Sequence, residues 1–567
     1  MRLFYVSCMA LLLVGKGYGL EFYVDQVHGS DTYDGLTVWS PWKSLDKIRT
    51  TVFAPGDIIK LRRGQVWRET MIMKSSGAPG RPVTVRAYGD GPDPVLNGAV
   101  APAPDQWSSY APGIYRTACN WVPLQVFEDD QRLLEVKWKG TIESTRPLLT
   151  PGSWTQDKTN RLLYVNTSTG AGPETHFLEI SKLDNGIYNG VGAGNRYTHY
   201  ENILVEKCNQ NGIYTGKGSA AVIKDCTVRL NAKNGILISS SDTTILGCVA
   251  HDNRTGFTAY TNESMSNLQV LNSCVYGNHF WVDGDGIRME NLNGALIENC
   301  HIYNHDNGGH ADNIQCAGGS VNVTIQNCII ENGRGIAITN QAGPVSISQN
   351  LFQTDQNGTF VGVTIAKDGL GGRAEIIENS FNHFLNGIII GHAHADGLLV
   401  EDNTFNVAPN TAVLKLSSAD SGPVYLNRNS YCSNGDVIIW DDRRYTLSTF
   451  ALFQSETGQD PNSELLGTTI EYTEIPINTV VVPTAAKAAE RQAKINQQNA
   501  VGDRPAEENA GLRATNYNWM PGPDAGSPAY ENGAEPDNAT GLIPDDPLEP
   551  QDSETQSGLP EAYSIYY

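Results

Sequence analysis

The sequence predicts an all-β chain wound into a parallel solenoid, and three observations carry that prediction. A short phrase ending in cysteine ("VEKC", "IKDC", "ILGC", "LNSC", "IENC", "IQNC") recurs at Cys208, Cys226, Cys248, Cys274, Cys300 and Cys328. It continues without cysteine at Leu351, Ser380, Thr404 and Ser430. The gaps are 18, 22, 26, 26, 28, 23, 29, 24 and 26 residues, about one solenoid coil each. A second phrase keeps step with the first at Gly212-Ile213, Gly235-Ile236, Gly256-Phe257, Gly286-Ile287, Asn313-Ile314, Gly335-Ile336, Gly362-Val363, Gly387-Ile388 and Ala412-Val413. Each period therefore holds two strands and leaves room for a third. Composition agrees, since 57 glycines and 28 prolines with only 18% charged residues favour turns and strands over helices.

Taken in order, residues 1–19 read as a secretory signal: Arg2, an apolar stretch from Leu3 to Val14, then small residues at Gly17 and Gly19. An exported chain follows, and no other apolar run is long enough to insert in a membrane. Residues 20–100 form an N-terminal cap and the first coils. Such a cap is needed because a terminal coil otherwise exposes unpaired edges. The repeat is interrupted over 101–180, where "APDQWSSYAPGIYRTACNWVPLQVFEDDQRLLEVK" and "NRLLYVNTSTGAGPETHFLEIS" read as hairpins of an inserted β subdomain. The solenoid proper spans 181–465. A C-terminal extension at 466–530 packs back on the body, and 531–567 is an acidic, disordered tail.

Net charge is −22, and half of it falls after Val501, where thirteen acids face only Arg504 and Arg513. That balance excludes nucleic acid, whose binding depends on neutralising phosphates. A polyanionic glycan would need a locally basic groove. A monomer is expected.

Stacked coils lie about 4.8 Å apart, so equivalent residues form ladders. The cysteines are expected inward as buried free thiols rather than disulfides. Asn299, Asn327, Asn350, Asn379, Asn403 and Asn429, one position before the end of the phrase, are expected to bond to their own copies in the next coil.

These repeats, with the entry segments "FYVDQVHGSDTYDGLTVWSPWKSLDKI" and "PGDIIKLRRGQVWRETMIMKSSGAPGRPVTVRAYGDGPDPVLNGA", resemble the right-handed parallel β-helix superfamily typified by pectate lyases, over roughly residues 20 to 465. The resemblance implies a right-handed winding and a secreted, polysaccharide-active protein.

Chemistry concentrates in "IENCHIYNHDNGGHADNIQC", residues 297–316, and its neighbours. Alternation turns Ile287 and Met289 inward and Arg288 and Glu290 outward, with Gln315, Ala337, Thr364 and Ile389 also outward. The outward strip then presents Tyr260, Arg288, Glu290, Gln315 and Asn340, with Lys367, Asp368 and His392 farther along. Asp283, Asp285, His310, Asp312 and Arg334 enter it. Asp285, Asp312 and Arg334 each precede the Gly or Asn of their phrase and should stack on three rungs, with the carboxylates about 5 Å apart. Carboxylates that close share a proton or bind a cation.

The candidate catalytic residues are Asp285, Arg288, His310, Asp312 and Arg334. The candidate substrate-binding residues are Tyr260, Gln315, Asn340, Lys367 and His392, and Asp283 and Glu290 are candidate ligands for Ca²⁺. His301 and His305 read as surface residues of a turn. Arg, His and Lys mixed with acids suit β-elimination on an acidic polysaccharide, which needs a base and a group to neutralise the developing charge.

Polygalacturonase-like hydrolases also resemble this stretch at Asp285, Asp312 and "GRG", Gly333 to Gly335. However, Ala311 replaces one acid of their pair, Arg334 stands where their histidine would be, and no Arg-Ile-Lys follows. Alginate epimerases resemble "VAHDNRTGF" and "HDNGGHADNI" loosely, without the Asp-Pro-His motif. A lyase therefore leads, ahead of a hydrolase using paired aspartates, a uronate epimerase, and a non-catalytic glycan-binding surface protein.

Overall fold

The computed structural model describes residues 19–190, 194–260, 265–278, 284–305, 311–354, 360–366, 369–406, 412–416, 422–433 and 435–467. The expected signal segment, apart from Gly19, and the acidic tail lie outside these residues, as does the C-terminal extension past Gly467. Among the described residues the chain winds through three sheets of 13 strands each. In a representative coil, Thr244–Leu246 lies in the first sheet, Val249–His251 in the second and Thr255–Ala259 in the third. Neighbouring coils pair in parallel, except where Arg443–Thr446 closes the third sheet antiparallel to Asp436–Trp440.

Alternation marks these segments as strands, with one break in the longest. Met265–Leu271 buries Met265, Leu268 and Val270, Leu292–Glu298 buries Leu292, Ala295 and Ile297 in register, and the period slips by one residue at Asn267 and Gly294, which have positive φ. The core is a set of stacked ladders. Ile213, Ile236, Phe257, Ile287, Ile314, Ile336, Val363 and Ile388 lie in register, as the second phrase predicts. The next rung is Leu414 rather than Val413. Towards the C-terminal end Phe352, Phe381, Phe405 and Tyr431 stack with centroids 4.5, 4.9 and 5.5 Å apart. The helix Phe450–Thr457 closes the column with Phe450 and Phe453. At the other end Trp42 and Phe53 pack on Phe22 around the short helix Asp46–Thr50.

The cysteine ladder needs correction. Cys226, Cys248, Ser273, Cys300 and Cys328 occupy one position at the tight corner between the first and second sheets. Cys208 falls after its second-sheet strand, at the next corner, and Cys274 lies inside its strand opposite His301. The repeated phrase marks the corner only to within a residue, whereas pairing fixes the register. All nine described cysteines are buried and free.

The asparagines divide the same way. Asn350, Asn379, Asn403 and Asn429 continue the cysteine position and donate from one amide to the next at 3.0, 3.0 and 3.1 Å. Asn299 and Asn327 stand one residue earlier, both at φ +55°, a left-handed turn that Asn tolerates.

Between Asn97 and Asn185 the second-to-third corner expands into two further sheets. One holds Ser108–Ala111, Ile114–Ala118, Leu134–Glu135, Ser153–Asp157 and Leu162–Asn166; the other holds Ala99–Val100, Val126–Glu128, Gln131–Arg132 and Leu178–Ser181. A charged cluster joins them to the solenoid. Lys207 pairs with Glu179 and Asp130, Arg68 with Glu179 at 2.8 Å, and Arg229 with Glu206 at 2.6 Å.

Candidate functional site

Third-sheet strands begin on a polar column. Asn185, Asn211 and Asn234 are linked by amide hydrogen bonds of 3.0 and 2.8 Å, and Thr255 follows in register. The next three rungs are charged: Asp285, Asp312 and Arg334. Asp312 N donates to Asp285 Oδ1 at 3.0 Å, and Arg334 Nε lies 3.2 Å from Asp312 Oδ1. That last contact lacks hydrogen-bond alignment, because among the described residues Oδ1 has no hydrogen-bond partner.

The stacking is as expected; the exposure is not. Asp285 is 2% and Asp312 3% accessible, so the carboxyls lie beneath the surface. The side chains of Arg334 and Arg288 remain 31% and 40% open. Burial pushes the Asp312 carboxyl up to about 8; Arg334 opposes this, Asp285 adds to it, and Arg288 opposes it again.

The other candidates are dispersed. Gln315 pairs with Arg288 across adjacent rungs, and its Oε1 is buried without a hydrogen bond among the described residues. Glu290 faces Arg288 at 3.2 Å, and half-buried Tyr260 precedes it on the same column. Asn340 stands apart, exposed at φ +50° in the turn after the strand Arg334–Ile338 has ended. His392 also follows its strand, Asn386–Ile390, with its ring in the space left by Gly369. Asp283, His310, Lys367 and Asp368 lie outside the described residues.

His301 and His305 are not the surface residues expected. His301 lies in a second-sheet strand, stacked on Tyr303 at 4.3 Å and paired through Nε2 with Glu331. His305 is fully buried at the second-to-third corner, bonded to Asn278 and Asn313. Neither role follows from local sequence, because the partners are 30 residues away for His301 and 27 for Asn278.

Among the described residues one group of three could supply metal-ligand atoms: Glu128, Asp129 and His176 in the inserted hairpins. Its hydrogen-bonding capacity is already used. Glu128 accepts from Ser168, Asp129 from Phe177 N, and His176 bonds Asp129 at 2.8 Å and Thr169 at 2.6 Å. The group pins one loop to a hairpin.

A family described as a right handed beta helix region matches residues 163–283. No curated protein matches the chain in sequence. Among solved structures, a glycoside hydrolase is 9% identical over 73% of this chain and 96% of its own, with a TM-score of 0.49. Pectate lyase Pel9A is 13% identical over 81% and 91%, at 0.40, and the mannuronan C-5 epimerase AlgE6 A-module of Azotobacter vinelandii is 15% identical over 73% and 91%, at 0.32. Three sheets in parallel register give the chain a parallel β-helix fold, and within it residues 163–283 match the right handed beta helix region family.

Proposed function

We propose that the chain is an exported enzyme that cleaves a uronic-acid-containing polysaccharide by β-elimination where Arg288 and Arg334 border Asp312. The observation that supports this reading is the pair of partly open guanidiniums over a buried carboxyl that burial raises to about 8. Elimination begins with loss of the proton next to the sugar carboxylate, and the charge that develops must be neutralised. Two guanidiniums suit that task because each offers a fork of donors to a carboxylate. Asp312, protonated at neutral pH, would pass its proton to the departing glycosidic oxygen and end the step ionised between the arginines. Asp285 and His310 are the candidates for the base.

Calcium, expected at Asp283 and Glu290, has no part in the proposal. The Glu290 carboxylate already faces Arg288 at 3.2 Å and is poorly placed for a cation, so no step passes through a metal.

Hydrolysis is the second reading, favoured by one feature. Asp285 and Asp312 are one rung apart, which at about 5 Å approaches the separation of retaining glycosidases. Incubation with alginate, pectate and glycosaminoglycans separates the readings. Elimination generates ultraviolet-absorbing unsaturated uronate ends, hydrolysis generates reducing ends without that absorbance, and binding without either product would leave a non-catalytic glycan-binding protein. Export is tested by N-terminal sequencing of secreted chain, which should begin near Leu20.

A further inference from the structure

The solenoid breaks its own pattern at the coil that carries Asp312. At the second-to-third corner Asn231, Asn253 and Asn278 form a buried ladder, with amide bonds of 2.9 Å at both steps. Each amide packs beside a third-sheet glycine of the preceding coil. A Cβ at Gly212 would meet Asn231 Nδ2 at 2.8 Å, and those at Gly235 and Gly256 would meet Asn253 and Asn278 at 3.0 Å. In the next two coils the ladder position holds His305 and then Gly333, while the glycine position holds Asn313. From Gly186 to Gly387 that glycine column has one exception, Asn313.

The exchange is conservative in its bonds. Asn313 Oδ1 accepts from His305 Nδ1 at 2.8 Å, and its Nδ2 donates to Glu331 O at 3.2 Å. Asn253 makes the equivalent bond to His251 O at 3.1 Å, two residues before its own corner position. Gly333 leaves the space, since a Cβ there would meet Asn313 Oδ1 at 3.0 Å. Asn278 Oδ1 is taken by Asn253, and its Nδ2, which donates to Ala250 O at 3.0 Å and Tyr276 O at 3.1 Å, also lies 3.3 Å from His305 Nε2.

An asparagine at 333 with glycine at 313 would satisfy the same corner. What the exchange changes is the residue that follows Asp312. Asp285 precedes a glycine, the freest of backbones, whereas Asp312 precedes a fully buried asparagine tied at both ends of its amide. Local departures from a repeat that cost nothing in bonding yet fix one carboxyl are expected where geometry matters for chemistry. We propose that His305 and Asn313 are positioning residues that hold Asp312 in place between Asp285 and Arg334. The proposal rests on the reading of this strip as the reaction site.

The variant H305N/N313G/G333N restores the repeat and tests it. It should unfold near the wild-type temperature, while kcat falls on the order of 10²-fold with KM little changed and the alkaline limb of the kcat profile shifts. Wild-type kcat and an unmoved pH profile in that variant would overturn the proposal. If the triple variant folds poorly, N313S keeps the backbone and removes the amide, and the same two outcomes are read from it.

Should wild-type protein cleave no glycan, the cleavage reading falls and the positioning claim is judged without turnover. The gap in unfolding midpoint between D312N and its parent is measured at about pH 5 and about pH 8 in both backgrounds. A gap that opens equally in the restored-repeat background overturns the claim; one that opens differently supports it.

Discussion

Replacing Asp312 by asparagine should make the protein more stable, and only at high pH. The carboxyl is 3% accessible, and burial moves it from its ordinary 3.8 to about 8. In the unfolded chain it ionises near 3.8, whereas in the folded chain it keeps its proton to about pH 8. Below the lower value both states are protonated and the full stability is present. Between the two the folded state binds the extra proton, so stability falls as pH rises, and the loss is complete above the upper value. A gap of about 4 units at ~1.4 kcal/mol each gives a loss on the order of 5 kcal/mol.

Asparagine has the same shape and no charge, so D312N escapes the loss. The Arg334 side chain is 31% open and can be hydrated. Urea unfolding followed by tryptophan fluorescence should give matching midpoints at about pH 4 and a D312N midpoint well above wild type at about pH 8. Parallel curves across that range would show that the carboxyl titrates normally, and the proton donor assigned to the strip would be lost with it.

Three further outcomes are expected. Asn379 bonds to Asn350 and Ile347 O on one side and to Asn403 on the other, so N379A should cost about 1–3 kcal/mol for each buried group it orphans, read by chemical denaturation. Lys207→Met leaves buried Glu179 with the Arg68 guanidinium and the Asn97 amide and should cost about 3–5 kcal/mol, while K207M/E179L should recover much of that loss. Alkylation with mass-spectrometric readout should leave the nine described cysteines unmodified in native protein and modify them after unfolding. Burial pushes the Cys119 thiol up to about 11 and Cys274 and Cys316 up to about 12, so native labelling at neutral pH would contradict the packing.

Much of the winding was legible because a coil repeats two signals of different origin. Glycine before an inward aliphatic marks the third-sheet strand, and pairing confirms that ladder from Ile213 to Ile388. The cysteine phrase marks a corner less sharply, because thiol and asparagine can share one position. Cys328 and Asn350 are adjacent rungs of a single ladder, yet the phrase read by its last letter assigns Asn350 to the position before. A hydrogen bond from Cys328 N to Asn350 Oδ1 at 2.9 Å joins the two halves of the ladder, so an asparagine can follow a thiol at this corner without leaving its amide oxygen unbonded.

The candidate site was legible in register and not in depth. Period-two alternation is enough to stack Asp285, Asp312 and Arg334, because a strand has only two faces. Whether an outward face is open depends on what covers it, and alternation carries no information about that. Charge content was a poor guide to membership, since Asn340 and His392 follow the ends of their strands and fall in turns. Departure from the repeat is the sharper criterion. Most outward positions tolerate any polar residue, so a charge there says little, whereas from Gly212 to Gly286 the inward glycine column is crowded by the facing corner side chain, and Asn313 has room where that corner residue is Gly333. Asn313 with Gly333 meets that double condition one residue after Asp312, and two linked substitutions, one in a column otherwise kept as glycine from 186 to 387 and one at the corner facing it, need a cause beyond solvation of a surface.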